Sequence, residues 1–348
     1  MERLSKILVT GNLGYIGYIL TEELLKNGYE VVGIDTNFYR DDLLYEFNFC
    51  KEYVQIKKDI RNISKKDIKD VDSIIHLAAL SNDPLGEINP TLTNEINLKG
   101  SIRLAKLAKK SKVSRFLFSS SCSIYGETND DMLNESAPVN PLTAYAHSKV
   151  NLEEELSKLS DEVFSPVYLR NGTAYGVSPN IRFDVVVNNL MGWAYTTKEI
   201  KILSDGKAWR PIVHIKDITN AFLSLLIEDK EKIHNQAFNV GLNSENYQVK
   251  QIAEEIHNLM PDCDVKILGK DNPDQRNYIV NFDKIKKVVH NFKSQWDLKK
   301  GIKELYGKFE EISLNEEMFQ NKNFTRIKQL KYLLENRYID DHLYWNKN

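Results

Sequence analysis

Short apolar runs separated by longer amphipathic stretches organise the first half of the chain. Runs at residues 6–10, 30–35, 53–57, 71–77, 114–119 and 163–169 each have the length and β-branched or aromatic content of one buried strand. Between them, the segment from Asn94 to Lys110 sets Ile96, Ile102, Leu104, Ala105, Leu107 and Ala108 among Lys99, Arg103, Lys106, Lys109 and Lys110. That pattern predicts a helix with one apolar and one solvated face. Asn140-Pro141 is read as a helix start, with the helix running through Tyr145, Lys149 and Leu152 to about Leu159. Strand and helix in alternation predict an α/β fold built on a doubly wound parallel sheet, covered on both faces.

From Arg170 the alternation breaks. Gly172, Gly176, Pro179, Gly192, Gly206 and Pro211 punctuate shorter elements. Ile215 to Ile227 reads as a helix, and Ala237 to Val240 as a strand returning to the main sheet. Residues 1–170 are therefore expected to form the main sheet domain to which residues 212–242 return, with a smaller, interleaved domain and the tail in residues 171–348. Past Leu305 the chain is polar, with a late helical pattern of Ile327, Leu330, Leu333 and Leu334, and packing or oligomer contact is its expected role.

Composition narrows the function classes. In 348 residues, 47 Lys and Arg stand against 49 Asp and Glu, and a net charge of -2 carries no polyanion-binding signature, so nucleic acid is not an expected partner. Cys50, Cys122 and Cys263 lie far apart without Cys-x-x-Cys spacing, which argues against a disulfide framework or a thiolate metal site. The first residues lead straight into Lys6-Ile7-Leu8-Val9 without a leader, and no apolar run approaches about eighteen residues. A cytoplasmic protein with no membrane partner is expected.

The candidate chemistry starts at Thr10-Gly11-Asn12-Leu13-Gly14-Tyr15-Ile16-Gly17, a glycine turn between the first strand and a helix start. Unpaired backbone N–H groups and the helix dipole make such a turn a seat for a pyrophosphate, although tight turns also use glycines with no ligand. Asp35 ends the second strand eighteen residues beyond Gly17, where a carboxylate would bond adenosine ribose hydroxyls and repel a 2′-phosphate. Arg40 nearby leaves NADP open. Asp59 and Ile60 after the third strand are candidates to border the adenine.

Tyr145 and Lys149, four residues apart, share one helix face. An adjacent ammonium favours a tyrosinate able to take a hydroxyl proton, while the spacing alone better fits a tyrosine packed by a snorkelling lysine. Ser119, Ser120 and Ser121 close a buried strand at the edge where open parallel sheets bind ligands, and Ser121 precedes Tyr145 by 24 residues.

The glycine turn, Asp35, Ser121, Tyr145 and Lys149, in this order, resemble the extended short-chain dehydrogenase/reductase superfamily, and more narrowly the NAD-dependent nucleotide-sugar epimerase/dehydratase group, over about residues 6–305. The resemblance implies a Rossmann-like fold, NAD as cofactor, a nucleotide-diphosphate sugar as substrate, and a hydroxyl-Tyr-Lys triad at Ser121, Tyr145 and Lys149. It implies cofactor contacts at Gly11, Gly14, Tyr15, Ile16, Gly17, Asp35, Asp59, Ile60, Leu77, Ala78, Ala79, Asn97, Tyr145 and Lys149. His76, at the head of the Leu77 segment, is read as structural. Substrate contacts are implied at Ser81, Ser121, Thr173, Asn189, Arg210 and Arg276, with Asn188 and the run from Arg210 through His214 to Asp217 in the same motifs. Thr173 stands where many members have asparagine, and Arg182-Phe183-Asp184 could line the sugar pocket.

Dehydratases of the group carry Asp-Glu after the catalytic hydroxyl residue, whereas this chain has Cys122-Ser123. Action at C4 as epimerase, dehydrogenase or ketoreductase is therefore expected ahead of 4,6-dehydration. The pattern Asp274-Gln275-Arg276-Asn277-Tyr278 also resembles GDP-heptose-modifying enzymes of surface-polysaccharide pathways. A non-catalytic NAD-binding protein is the reading from another class. The resemblance further implies a homodimer joined through the Asn94–Lys110 and Tyr145–Leu159 helices.

Overall fold

The computed structural model describes residues 5–39, 42–81, 89–269 and 276–346. Arg40, Asp274 and Gln275 lie outside the described residues. A seven-stranded parallel sheet forms the centre. Its strands are β1 (Lys6–Thr10), β2 (Glu30–Asp35), β3 (Val54–Lys57), β4 (Ser73–His76), β5 (Arg115–Ser121), β6 (Ser165–Asn171) and β7 (Gln236–Val240). They lie in the order β7-β6-β5-β4-β1-β2-β3, so the chain winds outward in both directions from β1. The C-terminal edge between β1 and β4 is the switch point at which such sheets open a crevice.

Alternate side chains of each strand serve opposite faces, which is why every apolar run is nearly continuous. On one face Ile7, Val9, Val31 and Leu117 pack with Leu20 and Leu24 of helix α1 (Tyr15–Lys26). On the other, Leu8, Val32, Ile74 and Phe116 meet Leu104 and Ala108 of α2 (Ser101–Lys110) and Leu152 and Leu156 of α3 (Ala144–Leu159). The helical segment that ends in α2 begins at Pro90, capped by Asn89, and widens into π-type turns over Asn94–Gly100. Helix α3 starts later than the sequence implies. Asn140 N–H is committed to the Ile124 carbonyl at 2.9 Å, and Thr143 is the cap, its Oγ1 accepting from Ala146 N–H at 3.1 Å.

After β6 the chain builds a second body. Thr173–Tyr175, Trp209–His214 and Asn246–Gln248 form a small sheet, and the helices Val186–Thr197 (α4), Val249–Leu259 and Leu298–Glu311 share a core of Val187, Met191, Ile252, Ile302 and Phe309. Helix Ile215–Ile227 packs Ile218 and Phe222 on the main sheet before β7 joins it. Helix Arg326–Glu335 crosses back: Leu330, Leu333 and Ile339 sit in the same core as Leu8 and Phe38. No helix among the described residues is long and apolar enough to cross a membrane.

Candidate active site

A cleft of about 560 Å3 opens at the C-terminal edge of the sheet and runs between the two bodies. The glycine turn forms one wall. Gly11 adopts φ +75°, and a Cβ there would meet Ala78 N at 2.8 Å. At Gly17 a Cβ would strike the Gly11 carbonyl oxygen at 2.2 Å, so α1 can close on the strand only with glycine at that position. Gly14 caps α1 with no side-chain hydrogen bond, leaving an uncapped helix N-terminus on the cleft between Gly14 and Gly17. Uncapped amides and the positive helix end suit a pyrophosphate. Tyr15 contributes backbone there, because its buried hydroxyl donates to the Gly176 carbonyl at 2.7 Å and accepts from Asn188.

At the end of β2, Asp35 accepts from Leu13 N–H at 3.2 Å and Asn37 N–H at 2.8 Å. Burial raises its pKa, and these two N–H groups pull it back. Beyond it Asp59 is gripped by Arg61, Nε at 3.0 Å and Nη2 at 2.8 Å, while Ile60 presents an apolar wall. Leu77, Ala78, Ala79 and Ser81 line the floor. The residues present therefore fit a dinucleotide: an anion seat, a ribose-facing carboxylate and an apolar slot lie along one cleft.

At the opposite end Ser121, Tyr145 and Lys149 come together on the cleft wall. Ser121 Oγ accepts from Ser123 N–H at 3.1 Å, which orients the hydroxyl. Lys149, 4 % exposed, donates from Nζ to the Ser119 carbonyl at 2.7 Å, and its Nζ lies 5.3 Å from the Tyr145 ring centre. Burial pushes its pKa down to about 7, against the opposing charge of Glu153. Glu153 lies one turn further along α3, where it takes Ser120 Oγ–H and a bidentate pair from Arg170. Thr173, Asn189, Arg210 and Arg276 also line the cleft, and Arg210 donates to the Arg276 backbone carbonyl.

The structure does not bring every residue singled out from the sequence to the cleft. Asn97 does not line the cleft: its amide clasps Leu80, accepting from N–H at 2.8 Å and donating to C=O at 3.1 Å. It braces the floor from behind, because the widened helical turn aims it at that loop. Asn188 and His214 are likewise buried outside the cleft, His214 bonded to Glu304 at 2.8 Å. His76 is structural as expected, with Thr10 Oγ1 at 2.6 Å on one ring nitrogen and Ser101 Oγ at 2.7 Å on the other. Burial holds its pKa down at about 3, in the neutral form. Arg182 and Asp184 do line the cleft, as a bidentate pair at 2.9 and 3.0 Å. Sequence reasoning missed Tyr39 and Arg326, and it named Tyr278 and Ile327 without placing them on the cleft. The tail contributes more than packing. Among the described residues no cluster of His, Cys, Asp or Glu could hold a metal ion.

A model of the NAD dependent epimerase/dehydratase family matches residues 7–241. The chain belongs to this family. It is accordingly an NAD-dependent enzyme. A Methanocaldococcus jannaschii protein, whose name gives UDP-glucose 4-epimerase as a provisional activity, is 28% identical over 303 residues, covering 85% of this chain and 96% of that protein. The UDP-glucuronate 4-epimerase of Thermodesulfobacterium geofontis is 27% identical over 269 residues, 73% of this chain and 80% of that one. Among solved structures, the UDP-N-acetylglucosamine 4-epimerase of Methanobrevibacter ruminantium superposes with a TM-score of 0.77 at 26% identity, covering 88% of this chain and 99% of that chain.

Proposed function

We propose that this chain is an NAD-dependent enzyme acting at C4 of a nucleotide-diphosphate sugar. The observation that carries the proposal is the single cleft shared by the glycine turn, Asp35, Ser121, Tyr145 and Lys149. Tyr145 takes the C4 hydroxyl proton on its phenolic oxygen, Ser121 hydrogen-bonds the reacting oxygen, and Lys149 holds the nicotinamide ribose and favours the phenolate. Bound NAD supplies the hydride acceptor. Asp35 selects the 2′-hydroxyl form of the dinucleotide. Asn189, Arg210 and Arg276 hold the substrate's nucleotide diphosphate, for which guanidinium forks are suited.

Epimerase, dehydrogenase and ketoreductase outcomes use these same groups, and the 4-epimerase names among the relatives favour epimerisation. The two residues after Ser121 disfavour dehydration. Cys122 is 1% exposed and its thiol pKa is pushed up by burial, and neither it nor Ser123 lines the cleft. We further propose a homodimer through α2 and α3.

Purified protein incubated with UDP-, GDP-, dTDP- and CDP-sugars, with product stereochemistry and nicotinamide absorbance followed, tests the reading. Turnover is expected with wild type and its loss with Tyr145→Phe. Full activity of that variant would sink the mechanism.

A further inference from the structure

Arg326 opens the late helix of the tail, far outside the residues matched by the family model, yet it is 2% exposed and lines the cleft. Its Nη2 donates to the Asn180 carbonyl at 3.0 Å and its Nη1 to the Asn323 carbonyl at 3.3 Å, and the guanidinium lies 4.4 Å from the Tyr39 ring centre. Asn180 in turn donates to the carbonyls of Leu13 at 2.7 Å and Tyr39 at 2.9 Å. Arg326 is thus anchored, through one residue, to both the glycine turn and the loop after Asp35.

Nearby Arg182 is matched by the bidentate carboxylate of Asp184. The carbonyls that receive Arg326 orient its fork without cancelling its charge. Burial and the charge of Arg182 push its pKa down to about 10, against the opposing charges of Asp184 and Asp35, and an anion in the cleft would add to that opposition. The tail also fixes the loop beneath it: Gln329 donates to the Phe38 carbonyl at 3.1 Å and Trp345 Nε1 to the Thr36 carbonyl at 2.6 Å.

We propose that Arg326 is a cofactor-binding residue whose guanidinium donates to the diphosphate of the bound dinucleotide, together with the amides at the start of α1, so that the C-terminal segment is part of the nucleotide site. The proposal rests on the NAD reading of the cleft. It assigns a charge-assisted contact to a segment expected to pack or to make an oligomer contact.

Nucleotide-free protein titrated calorimetrically with ADP-ribose and with adenosine tests it. Arg326→Gln keeps a donor for the carbonyls and removes the charge. It is expected to weaken ADP-ribose about tenfold or more and to leave adenosine within about twofold, with Arg326→Lys recovering part of the loss. In wild type, hydrogen exchange from Asn323 to Leu330 should slow with ADP-ribose and not with adenosine. An Arg326→Gln protein that binds ADP-ribose like wild type, or loses both probes equally, overturns the proposal. If the variants do not fold, unchanged wild-type exchange with bound ADP-ribose overturns it. Wild type that binds neither probe removes the NAD reading itself.

Discussion

Lys149 carries an amine whose ordinary pKa is near 10.5 into a buried position where it falls to about 7. The unfolded chain binds this proton more tightly than the folded one, so the lysine destabilises the nucleotide-free fold fully below pH 7. The penalty fades as pH rises from about 7 to about 10.4 and is absent above. Lys149→Met should therefore raise the thermal midpoint most near neutral pH, with the gain shrinking by pH 10, as parallel melts of the two proteins would measure. For Tyr145→Phe, which removes only the proton acceptor, the expected fall in kcat is about 10²–10⁴-fold with the fold unchanged, checked by steady-state kinetics beside circular dichroism. These side chains were legible because their relation is local: Tyr145 and Lys149 are one helical turn apart, and Ser121 ends a strand. Arg326 was not, since its partner Asn180 is 146 positions away and nothing in the spacing marks the pair.

Helix α3 presents two of the three proposed catalytic side chains from its first turns, so its N-terminus matters more than its length. Thr143→Ala removes the cap bond to Ala146 and should cost about 1 kcal/mol in denaturant unfolding. Because the frayed turn carries Tyr145, kcat should fall too, while thermal stability falls only modestly. The widened turn before α2 acts at the same scale. Asn97→Ala leaves the Leu80 N–H and C=O without their clasp, and the loop bearing Ala78 to Ser81 should loosen. Weaker NAD binding, with the pH profile of kcat unchanged, is the outcome expected by calorimetry and kinetics. The apolar period located this helical segment, but hydrogen bonding decided where it widened and where α3 began.

At the scale of the whole molecule, the helices proposed to pair in a dimer carry charged outer faces: among the described residues no large exposed hydrophobic lies on α2 or α3, and Ile102 and Leu107 of α2 are half-buried. Lys106 and Lys110 on one helix and Glu154 and Lys158 on the other are exposed, so a contact built there depends on charge. Light scattering should show a dimer at low salt that dissociates as ionic strength approaches about 1 M, where screening shortens to about 3 Å. A salt-independent monomer would remove this assembly. By itself, the sequence determined the parallel sheet, the glycine turn, Asp35 and the Ser121, Tyr145 and Lys149 set, because each is written in short-range period or spacing. Only the tertiary structure decided that Asn97 clasps Leu80 behind the floor, and that a polar tail returns to bring Arg326 to the cleft. Burial and long-range hydrogen bonding choose among solutions that local pattern leaves equivalent.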